Sequence, residues 1–203
     1  MYEAFYGLKG KPFQLNPDPA FLYASRGHKS ALAYLKYGLY QGEGFVVITG
    51  EIGTGKTTLI RSLLEQLDRQ KVMAAQLVST QLDAENLLRA VATAFGIPVN
   101  SPHKAELLAQ IEAFLTALVP RHKRALLIVD EAQNLSPRAV EELRMLSNFQ
   151  LGNQALLQSV LVGQPELREV MRSARMKQLR QRVIASYHLG PMDRQETQGY
   201  IEH

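Results

Sequence analysis

Cysteine is absent from the 203 residues, so neither a disulfide framework nor a thiolate metal site is available, and an oxidising compartment is not required. No apolar run approaches the ~20 residues that span a bilayer. The opening Met1-Tyr2-Glu3-Ala4-Phe5 lacks the basic start and apolar stretch of a signal peptide. The expectation is a chain with no membrane span, resident in the cytoplasm or, within a longer protein, at the inner membrane face. The five histidines show no metal-ligand spacing, and Ser, His and Asp residues form no nucleophile arrangement. No internal repeat and no helix-turn-helix or other base-reading element is recognisable. Charge of one sign is in only small excess: 23 Lys and Arg against 19 Asp and Glu give +4, a mild basic balance that does not by itself choose a partner.

What is present is globular in kind. Hydrophobic residues make up 46% and charged residues 21%, enough for one sizeable core and one main domain. Residues 1–25 are rich in Pro, Gly and rings, which disfavours helix and predicts an extended wrap. From Gly27 to Gln41, Ala31, Leu32, Leu35 and Leu39 recur at helical spacing. Phe45–Thr49 reads as a strand, followed by a glycine loop and a helix over Thr57–Gln70. Val72–Val78 and Ala125–Val129 have the continuous hydrophobicity of strands covered on both faces. Helices are predicted over Ala84–Phe95 and Lys104–Leu118, and over Ala139–Phe149 behind the capping pair Ser136-Pro137. Leu157–Val162 and Ser186–Leu189 complete five strands. Alternating strands and helices predict an α/β fold with a five-stranded parallel sheet and helices on both faces. Asp193–His203 opens a new helix and stops almost at once.

The chemistry concentrates in two segments. Gly50-Glu51-Ile52-Gly53-Thr54-Gly55-Lys56-Thr57 matches G-x-x-x-x-G-K-[ST] in full, between a predicted strand and a predicted helix; Thr58 continues it. Glycines there let successive N–H groups and the helix N-terminus converge on phosphate oxygens. Lys56 is expected on the β- and γ-phosphates of ATP and the Thr57 hydroxyl on Mg²⁺. Asp130 and Glu131 end a buried strand, at the edge where a parallel sheet opens its ligand crevice. Asp130 is the second expected metal ligand, and Glu131 the residue that polarises an attacking water; a pair that merely caps a helix is the alternative. Gln164, after Leu161-Val162-Gly163, is placed to sense the γ-phosphate or the water, with a helix-entry turn before Pro165 as the alternative. Arg180 and Arg182 precede the last strand, and Arg182 is the choice for an arginine acting across a subunit boundary. A salt-bridged surface arginine is the alternative for either; they close a basic run that starts at Arg168, which on a helix is more often a solvated or subunit-facing surface than a site for an anionic partner. His28, after Ser25-Arg26-Gly27, is a candidate with Tyr23 for the adenine pocket, or else for capping and packing.

Taken together these features resemble an AAA+ P-loop ATPase. More narrowly, Phe5-Tyr6-Gly7-Leu8, Pro12-Phe13, Pro17-Asp18-Pro19, Asp130-Glu131-Ala132-Gln133, Gly163-Gln164-Pro165-Glu166-Leu167 and Gln181-Arg182-Val183 resemble the general secretion pathway protein A (ExeA-like) ATPases, and the opening resembles the exosortase (PEP-CTERM) system-associated branch. The resemblance implies three regions: 1–44 preceding the core, 45–192 as the nucleotide-binding core, and 193–203 as the start of a truncated helical lid. It also implies a Mg-dependent ATPase that forms homo-oligomers through nucleotide-bridged subunits and serves a secretion or export system. A DNA-binding regulator of the transposition-helper or origin-recognition type is the less favoured alternative, a nucleotide-gated scaffold a third.

Overall fold

The computed structural model describes residues 7, 23–78, 82–99 and 103–202. The wrap expected over residues 1–25 lies outside these, apart from Gly7 and residues 23–25. Helix α1 (Arg26–Gln41) starts at Ser25, whose hydroxyl accepts the His28 N–H, and ends at Gly42 in the left-handed conformation. Strand β1 (Phe45–Gly50) runs into the glycine loop and helix α2 (Lys56–Gln66). Strand β2 (Val72–Val78), helix α3 (Ala84–Ala94), helix α4 (Lys104–Leu118) and strand β3 (Arg124–Asp130) follow. Helix α5 (Pro137–Leu146) begins as expected, with the Ser136 hydroxyl accepting the Ala139 N–H and proline in the first turn. Beyond it come the two-residue strands β4 (Gln150–Leu151) and β5 (Gln154–Ala155), strand β6 (Leu157–Gly163), helices α6 (Glu166–Arg172) and α7 (Lys177–Arg180), strand β7 (Val183–Leu189) and helix α8 (Arg194–Glu202).

The main sheet has the order β2-β3-β6-β1-β7 and every pairing in it is parallel. Side chains alternate between two apolar layers, as strands buried on both faces require. Phe45, Val47, Leu127, Val129 and Leu161 pack beneath α3, α4 and α5, while Val46, Ile48, Leu126, Ile128 and Val160 pack beneath α1 and α2. Gln158 is a polar exception in the second layer, satisfied by donating to the Gly38 carbonyl of α1 at 2.6 Å.

Several expected boundaries shift. The last strand starts at Val183 rather than Ser186, because Phe45 and Val46 of β1 extend its partner ladder. The helix after the glycine loop stops at Gln66, where Leu67 turns extended, and α5 ends at Leu146. The β4–β5 hairpin has strands too short to carry a period, and the helix following Pro165, whose entry turn is the alternative for Gln164, is only seven residues long.

The order of the strands builds one edge. Thr49 lies beside Gly163, Val78 beside Asp130 and Gly50 beside Leu189, so all five strands finish at the same edge. Because β6 is inserted between β1 and β3, the residue after it stands between the glycine loop and the acidic strand end.

Candidate active site

The glycine loop leaves β1 and turns into α2 through Gly55, which is left-handed at φ 84°. A side chain there is excluded twice, by the backbone conformation and by His28, whose Nε2 would lie 2.7 Å from an added Cβ. Lys56, the first residue of α2, is buried. Its ammonium donates to the Gly50 and Glu51 carbonyls, each at 2.8 Å, so the loop is wrapped around the cation that an arriving phosphate would claim. Burial pushes the Lys56 pKa down, and the carboxylates of Glu131, Asp130 and Glu51 counter that. The N-terminus of this 11-residue helix adds its partial positive charge at the same point. At the loop's crest Ile52 is 80% exposed, and Thr58 is half-buried on α2.

Asp130 ends β3 as a buried carboxylate whose pKa burial raises above the ordinary range. The Glu131 N–H donates to it at 2.9 Å, and the Thr57 hydroxyl faces it at 3.4 Å. That pair fits Mg²⁺, a hard ion that takes one or two protein oxygens and completes its shell with phosphate oxygens and water. No group of three His, Asp or Glu side chains placed to hold a metal ion occurs among the described residues.

Glu131 takes the left-handed conformation, φ 53° and ψ 38°, which costs a side-chain-bearing residue roughly 1–2 kcal/mol. This bend ends the strand and starts a single 3₁₀ turn, Ala132–Asn134, aiming the carboxylate back across the sheet edge. There the Gln133 amide donates to Glu131 Oε2 at 2.5 Å, and the Gln164 amide donates to the same oxygen at 3.3 Å. The structure thus brings Lys56, Thr57, Asp130, Glu131 and Gln164 to one edge.

It places the arginines elsewhere. The Arg182 carbonyl accepts the Phe45 N–H at 2.9 Å, which puts it at the opening end of β1, while the glycine loop lies at the far end. The strand from Phe45 to Gly50 separates them, five rises or about 17 Å at ~3.3 Å per residue. The Arg182 guanidinium donates to the carbonyl and hydroxyl of Ser147, both at 3.0 Å, and that of Arg180 to the Met171 and Ser173 carbonyls. His28 lies beneath the loop: its Nδ1 pairs with the Ser25 hydroxyl at 2.8 Å, and its buried Nε2 makes no hydrogen bond. Tyr23 lines a cleft of about 280 Å³ with Arg26, Lys29 and Glu196, between the start of α1 and α8. In the sequence Gln133 stands out only as part of Asp130-Glu131-Ala132-Gln133, and the signal that marks it is its position two residues past the strand-end carboxylate.

The AAA domain family profile matches residues 39–171, which span the glycine loop, the acidic strand end and Gln164. The chain belongs to the AAA domain family. Members of this AAA family are typically ATPases. The chain is 43% identical over 202 residues to general secretion pathway protein A of Aeromonas hydrophila; the match takes in 99% of this chain and 37% of that relative. Among solved structures it is similar to the Aeropyrum pernix ORC2 protein in its ADPNP–ADP complexes, with a TM-score of 0.69 and 19% identity over 93% of this chain and 53% of that one. Domain III of the Thermotoga maritima replication initiation protein DnaA gives a TM-score of 0.57 at 17% identity, over 95% of this chain and 74% of that one. At such identities these two likenesses establish the AAA fold and nothing finer.

Proposed function

We propose that this chain is a Mg-dependent ATP-hydrolysing module that works as an oligomeric motor or switch in assembling an envelope secretion or export system. The observation that carries the chemistry is the convergence of Lys56, the Thr57–Asp130 pair, Glu131 and Gln164 on one sheet edge. The loop N–H groups and Lys56 bind the β- and γ-phosphates, the ammonium exchanging its two carbonyl partners for phosphate oxygens. Thr57 and Asp130 would hold Mg²⁺, which would supply neutralising charge there. Glu131 orients a water and takes its proton as the water oxygen bonds to the γ-phosphorus. The bond from that phosphorus to the β-bridging oxygen breaks, releasing ADP and phosphate. Gln164 turns its amide from Glu131 toward the γ-phosphate. Arg182 acts on a neighbouring subunit's nucleotide, a role its distance from its own loop leaves open.

The secretion setting is supported by the relative from Aeromonas hydrophila, of which this chain spans little more than a third. The exosortase-associated branch is a finer proposal, carried by the opening residues 5–19. No helix among the described residues is long and apolar enough to cross a membrane. The alternative, an ATP-dependent DNA-binding regulator, draws on exposed Arg168, Arg172 and Lys177; steeply salt-dependent DNA binding would favour it.

Steady-state ATP hydrolysis measured against protein concentration tests the main reading. Turnover per subunit should rise with concentration and be lost in Lys56→Ala, Glu131→Gln and Arg182→Ala. Binding of Mg-ATP without turnover at any concentration would instead support a nucleotide-gated scaffold.

A further inference from the structure

The 3₁₀ turn after β3 folds Gln133 back under Glu131, and its amide uses both ends there. Its Nε2 donates to Glu131 Oε2 at 2.5 Å, and its Oε1 accepts the backbone N–H of Gln164 at 3.0 Å. The two neighbours demand opposite polarity, a donor toward the carboxylate and an acceptor toward the N–H, so they fix which way the amide points. A reversed amide would set oxygen against carboxylate and NH₂ against N–H. Room for the bridge comes from Gly163, where a Cβ would stand 2.7 Å from Gln133 Oε1.

From this bridge we propose that Gln133 is a positioning residue for hydrolysis, holding the Glu131 carboxylate while anchoring the strand end that carries Gln164; the proposal rests on the ATPase reading above. Glu131 Oε2 takes two amide donors of unequal length, and the shorter belongs to Gln133. When Gln164 leaves for a γ-phosphate, Gln133 keeps the carboxylate from swinging away from the water it must orient. The same amide fixes the backbone from which Gln164 reaches, so base and sensor share one support. Glutamate at this position would remove the donor and face Glu131 with a like charge.

The test compares ATP turnover of the wild type, Gln133→Leu and Gln133→Glu, with affinity read separately from a fluorescent ATP analogue. The expected result is kcat lowered by roughly tenfold or more with KM and affinity within about twofold, because an interaction that only positions the reacting groups is lost. Gln133→Glu should be slower still. A second arm needs no turnover: urea unfolding of Gln133→Leu, Glu131→Ala and the double variant should give midpoint shifts that are less than additive, since either change breaks the same bond. Unchanged kcat in Gln133→Leu beside an active wild type overturns the proposal, as does a raised KM at constant kcat. Additive unfolding shifts overturn the bridge itself. A wild type without turnover defeats the ATPase reading and the positioning role with it, a pattern distinct from an active wild type that tolerates Gln133→Leu.

Discussion

Burial of the Asp130 carboxylate raises its pKa, the Glu131 N–H, the Thr57 hydroxyl and Lys56 offsetting part of that shift. A raised folded pKa means the folded state holds a proton that the unfolded chain has released. Stability from this group is therefore full below the ordinary carboxylate pKa and declines as pH rises through the raised value. Where the carboxylate is ionised, its burial is a cost to the stability of the folded state. Asp130→Asn should accordingly raise the melting temperature of nucleotide-free protein and abolish Mg-dependent turnover. Scanning calorimetry beside an ATPase assay checks both; a lower melting temperature would mean that attraction to Lys56 outweighs desolvation. His28 has the reverse sign. Burial lowers its pKa, with the Thr54 backbone and Glu196 pulling the other way. The unfolded chain therefore takes up its proton first, and stability is lost as pH falls below about 6.5. His28→Gln should flatten that acid-side slope in urea midpoints collected from pH 7 downward, whereas an unaltered slope would assign it to other groups.

At the scale of elements, β3 is the member on which most depends, since it carries Asp130 at its end and contributes to both apolar layers. Leu127 is fully buried beneath the α3–α5 layer. Leu127→Ala should cost about 2–5 kcal/mol in urea unfolding, the range for a truncated core leucine. A smaller loss would show that the helices collapse into the cavity. Helix α8 contrasts with this. It opens with a reciprocal cap, Asp193 accepting the Glu196 N–H and Glu196 accepting the Asp193 N–H, and meets α1 through Arg26, which pairs with both carboxylates. These partners lower the pKa values of Asp193, by the Glu196 N–H first, and of Glu196, by the Arg26 N–H first. None of its described residues is buried, so charge and the Tyr23–Tyr200 ring contact, at 6.1 Å, rather than a shared core hold it.

On the scale of the whole molecule, Arg182 and Lys56 occupy opposite ends of the sheet, which rules out their meeting at one nucleotide within a subunit. If Arg182 completes a neighbour's site, mixing two inactive variants should restore activity. In an equimolar mixture of Lys56→Ala and Arg182→Ala, some interfaces pair an intact loop with an intact arginine, and turnover should reappear. A mixture as inactive as its components would remove Arg182 from the mechanism and turn attention to its bonds with Ser147, which tie the start of β7 to the end of α5.

Local order in the sequence was enough for the glycine loop, the acidic strand end, the five strands and most helices, because each depends on neighbours: a loop-to-helix pattern, a continuous apolar run, a cap three residues from its partner. The two-residue strands escaped for the same reason, since they carry no period to read. Strand order was beyond local reading. Only the tertiary structure inserted β6 between β1 and β3, setting Gln164 against Glu131 across 33 positions of chain, and only it folded Gln133 under both. Those contacts arise from sheet topology and one left-handed residue, and neither has a signature in spacing along the chain.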